Sequence, residues 1–169
     1  MPDRPEPDLA HVQSALRSHD EAPRASDAHD EMQDGVTVAA LDPAGDERFQ
    51  SLRRELGVSS FGLNLLRLRP GQRGRIHRHE RQEEVYVVLE GTLTLGVEGE
   101  ERRLARGELA RVAPSVRRQL VNRGSELLLV LAIGGAERHE GRDGVAYASW
   151  EDSEGRPPPE VPLPPDVET

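Results

Sequence analysis

The chain has 169 residues, the length of one ordinary domain with some tail, and only 35% of them are apolar, fewer than a wholly globular chain carries. It contains no cysteine and no lysine, which excludes disulfides, thiolate metal sites, a cysteine nucleophile and Schiff-base chemistry; any metal must rest on histidine and carboxylate. The net charge of −9 sits at the ends: nine acids face three arginines in residues 1–35, and six acids face one arginine in 151–169, which leaves the middle slightly basic. Acidic ends, and no arginine cluster interleaved with aromatics, argue against nucleic acid as a partner. No apolar run is long enough to span a membrane and the first residues lack signal-peptide blocks, so the expectation is a cytoplasmic protein.

Residues 1–35 mix Pro, Asp, Glu, Ser and Ala with few large apolar side chains, and are expected to be a disordered acidic segment in which His11, His19 and His29 are solvated. A domain is expected over residues 36–150. It opens with Asp42-Pro43 followed by Phe49, Leu52 and Leu56, then Gly57, the spacing of a short amphipathic helix with Pro near its start and Gly past its end. From Phe61 the period changes to two. Strands are predicted at residues 61–68, 75–78, 84–89, 92–97, 108–112, 117–121 and 127–133, separated by turn residues such as Pro70-Gly71, Glu90-Gly91 and Arg106-Gly107. Short strands with no helices between them mean an all-β sandwich or barrel.

Val85 to Leu89 and Leu127 to Ile133 are apolar without alternation, as in strands buried on both faces. The outer face then needs a cover; a second copy of the chain in a homodimer is the expectation, with the 36–60 segment as the alternative. Beyond the last core strand, a glycine-rich loop carries His139, read as solvated. Tyr147 and Trp150 follow as packing anchors. Residues 151–169 form a Pro-rich acidic tail expected to be extended and disordered, with a role as ligand for a recognition module as the alternative to an inert end.

One cluster carries chemistry. In His77-Arg78-His79 the two imidazoles are two residues apart, so on a strand they share a face. Glu84 opens the following strand, where antiparallel pairing would bring its carboxylate beside the rings. Two imidazoles and one carboxylate suit iron, manganese, nickel or zinc and leave positions open for a ligand. Taken alone, His-x-His reads better as two surface histidines on a charged turn.

The wider spacing changes that balance. Gly71, five residues, His77-Arg78-His79, four residues, Glu84, six residues and Gly91 resembles the first signature motif of the cupin superfamily, and Gly107-Glu108, Ala113-Pro114 and Asn122 resemble its second, over residues 61–133. The resemblance implies a double-stranded β-helix, or jelly-roll, barrel, usually dimeric, with His77, His79 and Glu84 as metal ligands. The chain departs from the family where the second motif would supply a histidine: that position is Arg118, which is always protonated and cannot donate a lone pair. Three placements are open for it. It could face inward and pair with Glu84 in place of a metal, face inward and bind an anionic substrate beside a three-ligand metal, or turn out to solvent. Tyr86, on the face of Glu84, and Gln82 are further substrate-binding candidates. The functional expectation is a small-molecule-binding protein with a divalent metal on two histidines and one glutamate, oxygenase- or isomerase-like on a small polar or anionic compound. The alternative is a metal-free sensor or structural barrel.

Overall fold

The computed structural model describes residues 35–135 and 143–168. In chain order its elements are strand β1 (Phe49–Gln50), helix α1 (Leu52–Leu56), and strands β2 (Gly62–Leu68), β3 (Ile76–His79), β4 (Glu83–Glu90), β5 (Thr92–Val97), β6 (Glu100–Ala105), β7 (Leu109–Val112), β8 (Arg118–Val121), β9 (Leu128–Gly135) and β10 (Gly144–Tyr147), followed by a 3-10 turn at Pro158–Glu160. Residues 1–34, with His11, His19 and His29, and the loop carrying His139 lie outside the described residues.

The strands form two five-stranded antiparallel sheets, ordered β1-β2-β9-β4-β7 and β10-β3-β8-β5-β6. Period-two patterning explains how they pack. Leu66 and Leu68 on β2, Val88 on β4 and Val130 on β9 point inward from the first sheet and meet Leu93, Leu95 and Leu120 of the second in one buried cluster. At Gly91, between β4 and β5, the backbone has φ 76° and an added Cβ would lie 2.8 Å from the Leu127 carbonyl oxygen, so only glycine fits that turn. Among the described residues, no helix is long and apolar enough to cross a membrane.

The non-alternating strands are covered on their outer side from within the chain. Leu52 of α1 packs on Leu65 and Leu129, with Leu56, Leu63, Leu89 and Leu131 around them. The helix is shorter than its spacing suggests, because Phe49 and Gln50 pair with Leu66 and Leu65 as β1. Its C-terminal end is as expected, with Gly57 in the left-handed conformation.

Two further strands escape sequence reading. β6, Glu-Glu-Arg-Arg-Leu-Ala, is a charged and mostly exposed edge whose register with β5 comes from the two-residue turn at Glu98-Gly99. β10 follows the glycine-rich loop and pairs with β3.

The expectation of a disordered C-terminal tail needs correction. The segment is short of regular structure, as its prolines require, but it docks along the second sheet. Arg156 bridges to Ala146, Val161 is buried, and backbone carbonyls of Val161 and Pro165 accept hydrogen bonds from the guanidinium Nε atoms of Arg75 and Arg73. The Val167 N–H reaches the Gly71 carbonyl at 2.8 Å. An extended proline-rich backbone leaves its carbonyls free, and the arginines of the barrel rim supply the donors that hold it.

Candidate metal and ligand site

β3 places His77 and His79 on the inner face of the second sheet. Sequence reasoning brought Glu84 to them by pairing with the neighbouring strand, and this route is corrected: β3 pairs with β8 and β10, whereas Glu84 lies on β4 of the opposite sheet, between Gly134 and Val112. The carboxylate reaches the imidazoles across the interior. Its Oε2 is 3.6 Å from His77 Nε2 and 3.3 Å from His79 Nε2, and one ligand atom from each of the three residues falls within 4.8 Å of the others.

The second nitrogen of each ring determines what the first can do. His77 Nδ1 is 3.1 Å from the Arg75 carbonyl, which can only accept, so Nδ1 carries the proton and a neutral ring presents a lone pair at Nε2. His79 Nδ1 lies 2.7 Å from Asp143 Oδ1. Asp143 is held in turn by the backbone N–H groups of Arg81 and Gln82, at 3.2 and 3.0 Å. Burial works against ionisation of Asp143, but these donors and His79 outweigh it and keep its carboxyl below the usual range. A carboxylate behind a histidine in this way fixes both tautomer and ring orientation. Burial likewise pushes the His79 pKa down, and the hydrogen bonds to Glu84 and Asp143 overcome it, leaving a net upward shift.

Arg118 lies opposite His77 in the β3–β8 register, so it shares the inward face, and it is fully buried. Its Nη2 donates to Glu84 Oε2 at 3.1 Å, Nη1 to the Val116 carbonyl at 2.9 Å and Nε to the Tyr86 hydroxyl at 3.4 Å. The Tyr86 hydroxyl donates to the same Glu84 oxygen. Burial opposes ionisation of Glu84, but His77 and His79 more than compensate and hold it well below the ordinary carboxylate range. Burial also raises the Tyr86 phenol well above its ordinary value, so it remains a donor.

The three proposed ligands and Arg118 are thus brought together, and the solvent-facing placement of Arg118 is excluded. Arg118 stands behind Glu84 rather than in the wall of the cavity. Tyr86 is in the wall; Gln82 is not. The Gln82 side-chain amide lies 2.8 Å from His79 Nδ1; because that nitrogen donates to Asp143, the amide oxygen, otherwise buried without a partner among the described residues, is the atom that can face it. Asn122 of the second motif is structural, clamping the carbonyls of Leu68 and Glu126 at 2.7 Å each. Asp143 was missed: a single acid 64 residues from His79, at the edge of a glycine-rich loop, carries no spacing signal.

The donor set fits a divalent ion. Two imidazole nitrogens oriented by acceptors and one ionised carboxylate make a three-sided nitrogen and oxygen site, with Arg118 behind the carboxylate. The site opens into a cavity of about 210 Å³ between the sheets. Pro158 and Leu163 of the C-terminal segment form part of its wall.

Comparison with known proteins agrees with this architecture. The family model for the cupin domain matches residues 64–134. The tetracenomycin polyketide synthase protein TcmJ of Streptomyces glaucescens is 32% identical over 93 residues, which are 55% of this chain and 56% of that protein, so the chain spans about half the length of the curated relative it matches. A sugar phosphate isomerase of the cupin superfamily from Silicibacter pomeroyi superposes with a TM-score of 0.53 at 28% identity, over 69% of this chain and 79% of that one. A cupin protein from Bacteroides fragilis, at 20% identity, shares the fold with a TM-score of 0.54 over 62% of this chain and 86% of its own. Two facing antiparallel sheets, both signature spacings and the family-model match identify residues 64–134 as a cupin domain.

Proposed function

We propose that the chain is a small-molecule-binding protein whose cavity holds a divalent transition metal (iron, manganese, nickel or zinc) on His77, His79 and Glu84, with oxygenase- or isomerase-like turnover of a small anionic compound. The observation that carries this reading is the orientation of the imidazoles: each commits Nδ1 to an acceptor, and each turns Nε2 toward the same carboxylate oxygen. Lone pairs facing a carboxylate repel unless positive charge stands between them: a proton shared with Glu84, in keeping with the raised His79 pKa of the metal-free state, or a metal bound to all three side chains. Bound there, the ion would contribute Lewis-acid polarisation of a ligand oxygen. The chain's own groups do the rest. Asp143 keeps the His79 proton at Nδ1, Arg118 and Tyr86 fix the Glu84 carboxylate, and the apolar walls exclude water. Similarity to a polyketide synthase protein and to a sugar phosphate isomerase supports chemistry on oxygen-bearing small molecules. Elemental analysis of purified protein beside His77→Ala tests it. Near-stoichiometric metal lost in the variant is expected; absence from both, persisting after metal soaking, sinks the reading.

A specific observation favours a second reading. The buried Arg118 already offers a permanent cation to Glu84, so the barrel can stand as a metal-free sensor or structural domain in which this pair takes the metal's place. Chelation should then leave thermal stability unchanged, whereas a metalloprotein loses stability when stripped.

We also propose a homodimer. Val85, Val87 and Ile133 on the outer face of the first sheet remain partly exposed outside the cluster under α1, beside the exposed Leu109. Sedimentation of the purified chain at twice the monomer mass of 18.7 kDa is the expected result.

A further inference from the structure

The walls of the cavity do not match a uniformly polar ligand. Away from the histidines and Glu84 they are built of Leu66, Leu68, Leu120, Ala132 and Ala146, with Leu163 of the C-terminal segment alongside. Tyr86 has committed its hydroxyl to Glu84, which leaves Asn64 as the one other uncharged polar side chain among the lining residues. A sugar carries a hydroxyl on nearly every carbon, and most of these would be desolvated here without a partner.

Two cations complete the wall. Arg48 binds the Arg73 carbonyl at 3.2 Å and has Asp166 at 3.7 Å, in contact with the C-terminal segment. Arg75 precedes β3 with the inward parity of His77 and His79, and its Nε is anchored on the Val161 carbonyl. No carboxylate among the described residues pairs with Arg75, so its terminal nitrogens keep donors for a ligand.

We infer that the cavity takes a flat, mainly apolar anion of the aromatic hydroxy-acid class. Its anionic group meets Arg75, its ring system lies against the leucines, and its hydroxyl oxygen faces His77, His79 and Glu84. This deepens the proposed function and rests on it for the last contact only, since the ring and the anion are recognised by groups that touch no metal.

The test is calorimetric titration of the full chain, metal-loaded and stripped, with hydroxynaphthoate, neutral naphthol and glucose 6-phosphate. Hydroxynaphthoate should bind about tenfold or more tighter than either of the others, and Arg75→Gln should weaken it by about tenfold while leaving naphthol unchanged, the loss of one charge-assisted contact. Glucose 6-phosphate binding as tightly as hydroxynaphthoate, or Arg75→Gln without effect on hydroxynaphthoate, overturns the inference. The metal reading fails separately: if the preference for hydroxynaphthoate holds equally in loaded and stripped protein and elemental analysis finds no metal, the ligand class stands and the metal site falls.

Discussion

Arg118 on β8 and Glu84 on β4 are joined across the interior by a 3.1 Å contact between Nη2 and Oε2, so one ion pair ties the two sheets together at the base of the cavity. The guanidinium is fully buried and has its other nitrogens on Val116 and Tyr86, which is the condition under which a buried charge is tolerated.

Removing that cation strands a carboxylate. Arg118→Met should lower the stability of chelator-treated protein by about 3 kcal/mol, the cost of leaving one buried charge uncompensated. If the three-donor set holds a metal, added zinc should recover part of the loss in the variant and also bind more tightly to Arg118→His, which supplies a third nitrogen and so a fourth ligand. Urea unfolding with and without zinc measures both effects. A variant as stable as the parent without metal would mean that Glu84 is protonated or solvated once Arg118 is gone.

Asp143 acts on the site through His79. Asp143→Asn can still contact Nδ1 but no longer favours its protonated tautomer as strongly, so zinc affinity should fall by about tenfold or more. The fold should be little changed, because β10 and β3 pair through their backbones. Competition with a chromophoric chelator reads the affinity, and circular dichroism checks the fold.

The sequence disclosed the parts of this site that depend on local periodicity. His77 and His79 share a face because strands alternate, and Val116, Arg118 and Leu120 share another for the same reason, which is why an inward Arg118 was among the expectations. The location of Glu84 depended on something else. It was expected on a neighbouring strand, but it arrives from the opposite sheet, a relation set by jelly-roll connectivity and not by the four residues that separate it from His79. Asp143 and the C-terminal segment were illegible for a related reason. Their contacts are long-range, one through a single side chain and the other through carbonyls that any sequence would carry. β6 was hidden because an edge strand stabilised by pairing alone can be charged throughout.

The docked C-terminal segment makes its own prediction. Val161 is 2% exposed and Leu163 is 44% exposed, although both lie on the same proline-rich stretch. Val161→Ala should cost about 1.5 kcal/mol from the apolar surface it no longer buries, and Leu163→Ala much less. Urea midpoints separate the two. Equal and negligible effects would show that the segment does not hold to the barrel in solution.

Glu98 gives the fold a dependence on pH away from the site. It occupies a left-handed conformation, φ 48°, in the turn between β5 and β6, and its carboxylate accepts from the Arg117 backbone N–H at 2.6 Å and from Arg117 Nε at 2.9 Å. Burial slightly opposes its ionisation, but these two donors prevail and lower its pKa from 4.5. A carboxyl whose pKa is lower folded than unfolded stabilises the fold at pH values above the unfolded value, and that contribution disappears as pH falls through the folded one. Glu98→Gln should therefore be less stable than the parent at neutral pH, by well under about 1 kcal/mol because the pair is half exposed and screened. The difference should close as pH drops below 4.5 and the parent's carboxyl is protonated. Paired urea titrations of parent and variant across that range isolate it, since every other carboxylate titrates in both. A constant difference down to about pH 3 would assign the loss to the turn itself, through a side chain that suits the left-handed backbone less well, and not to the charge.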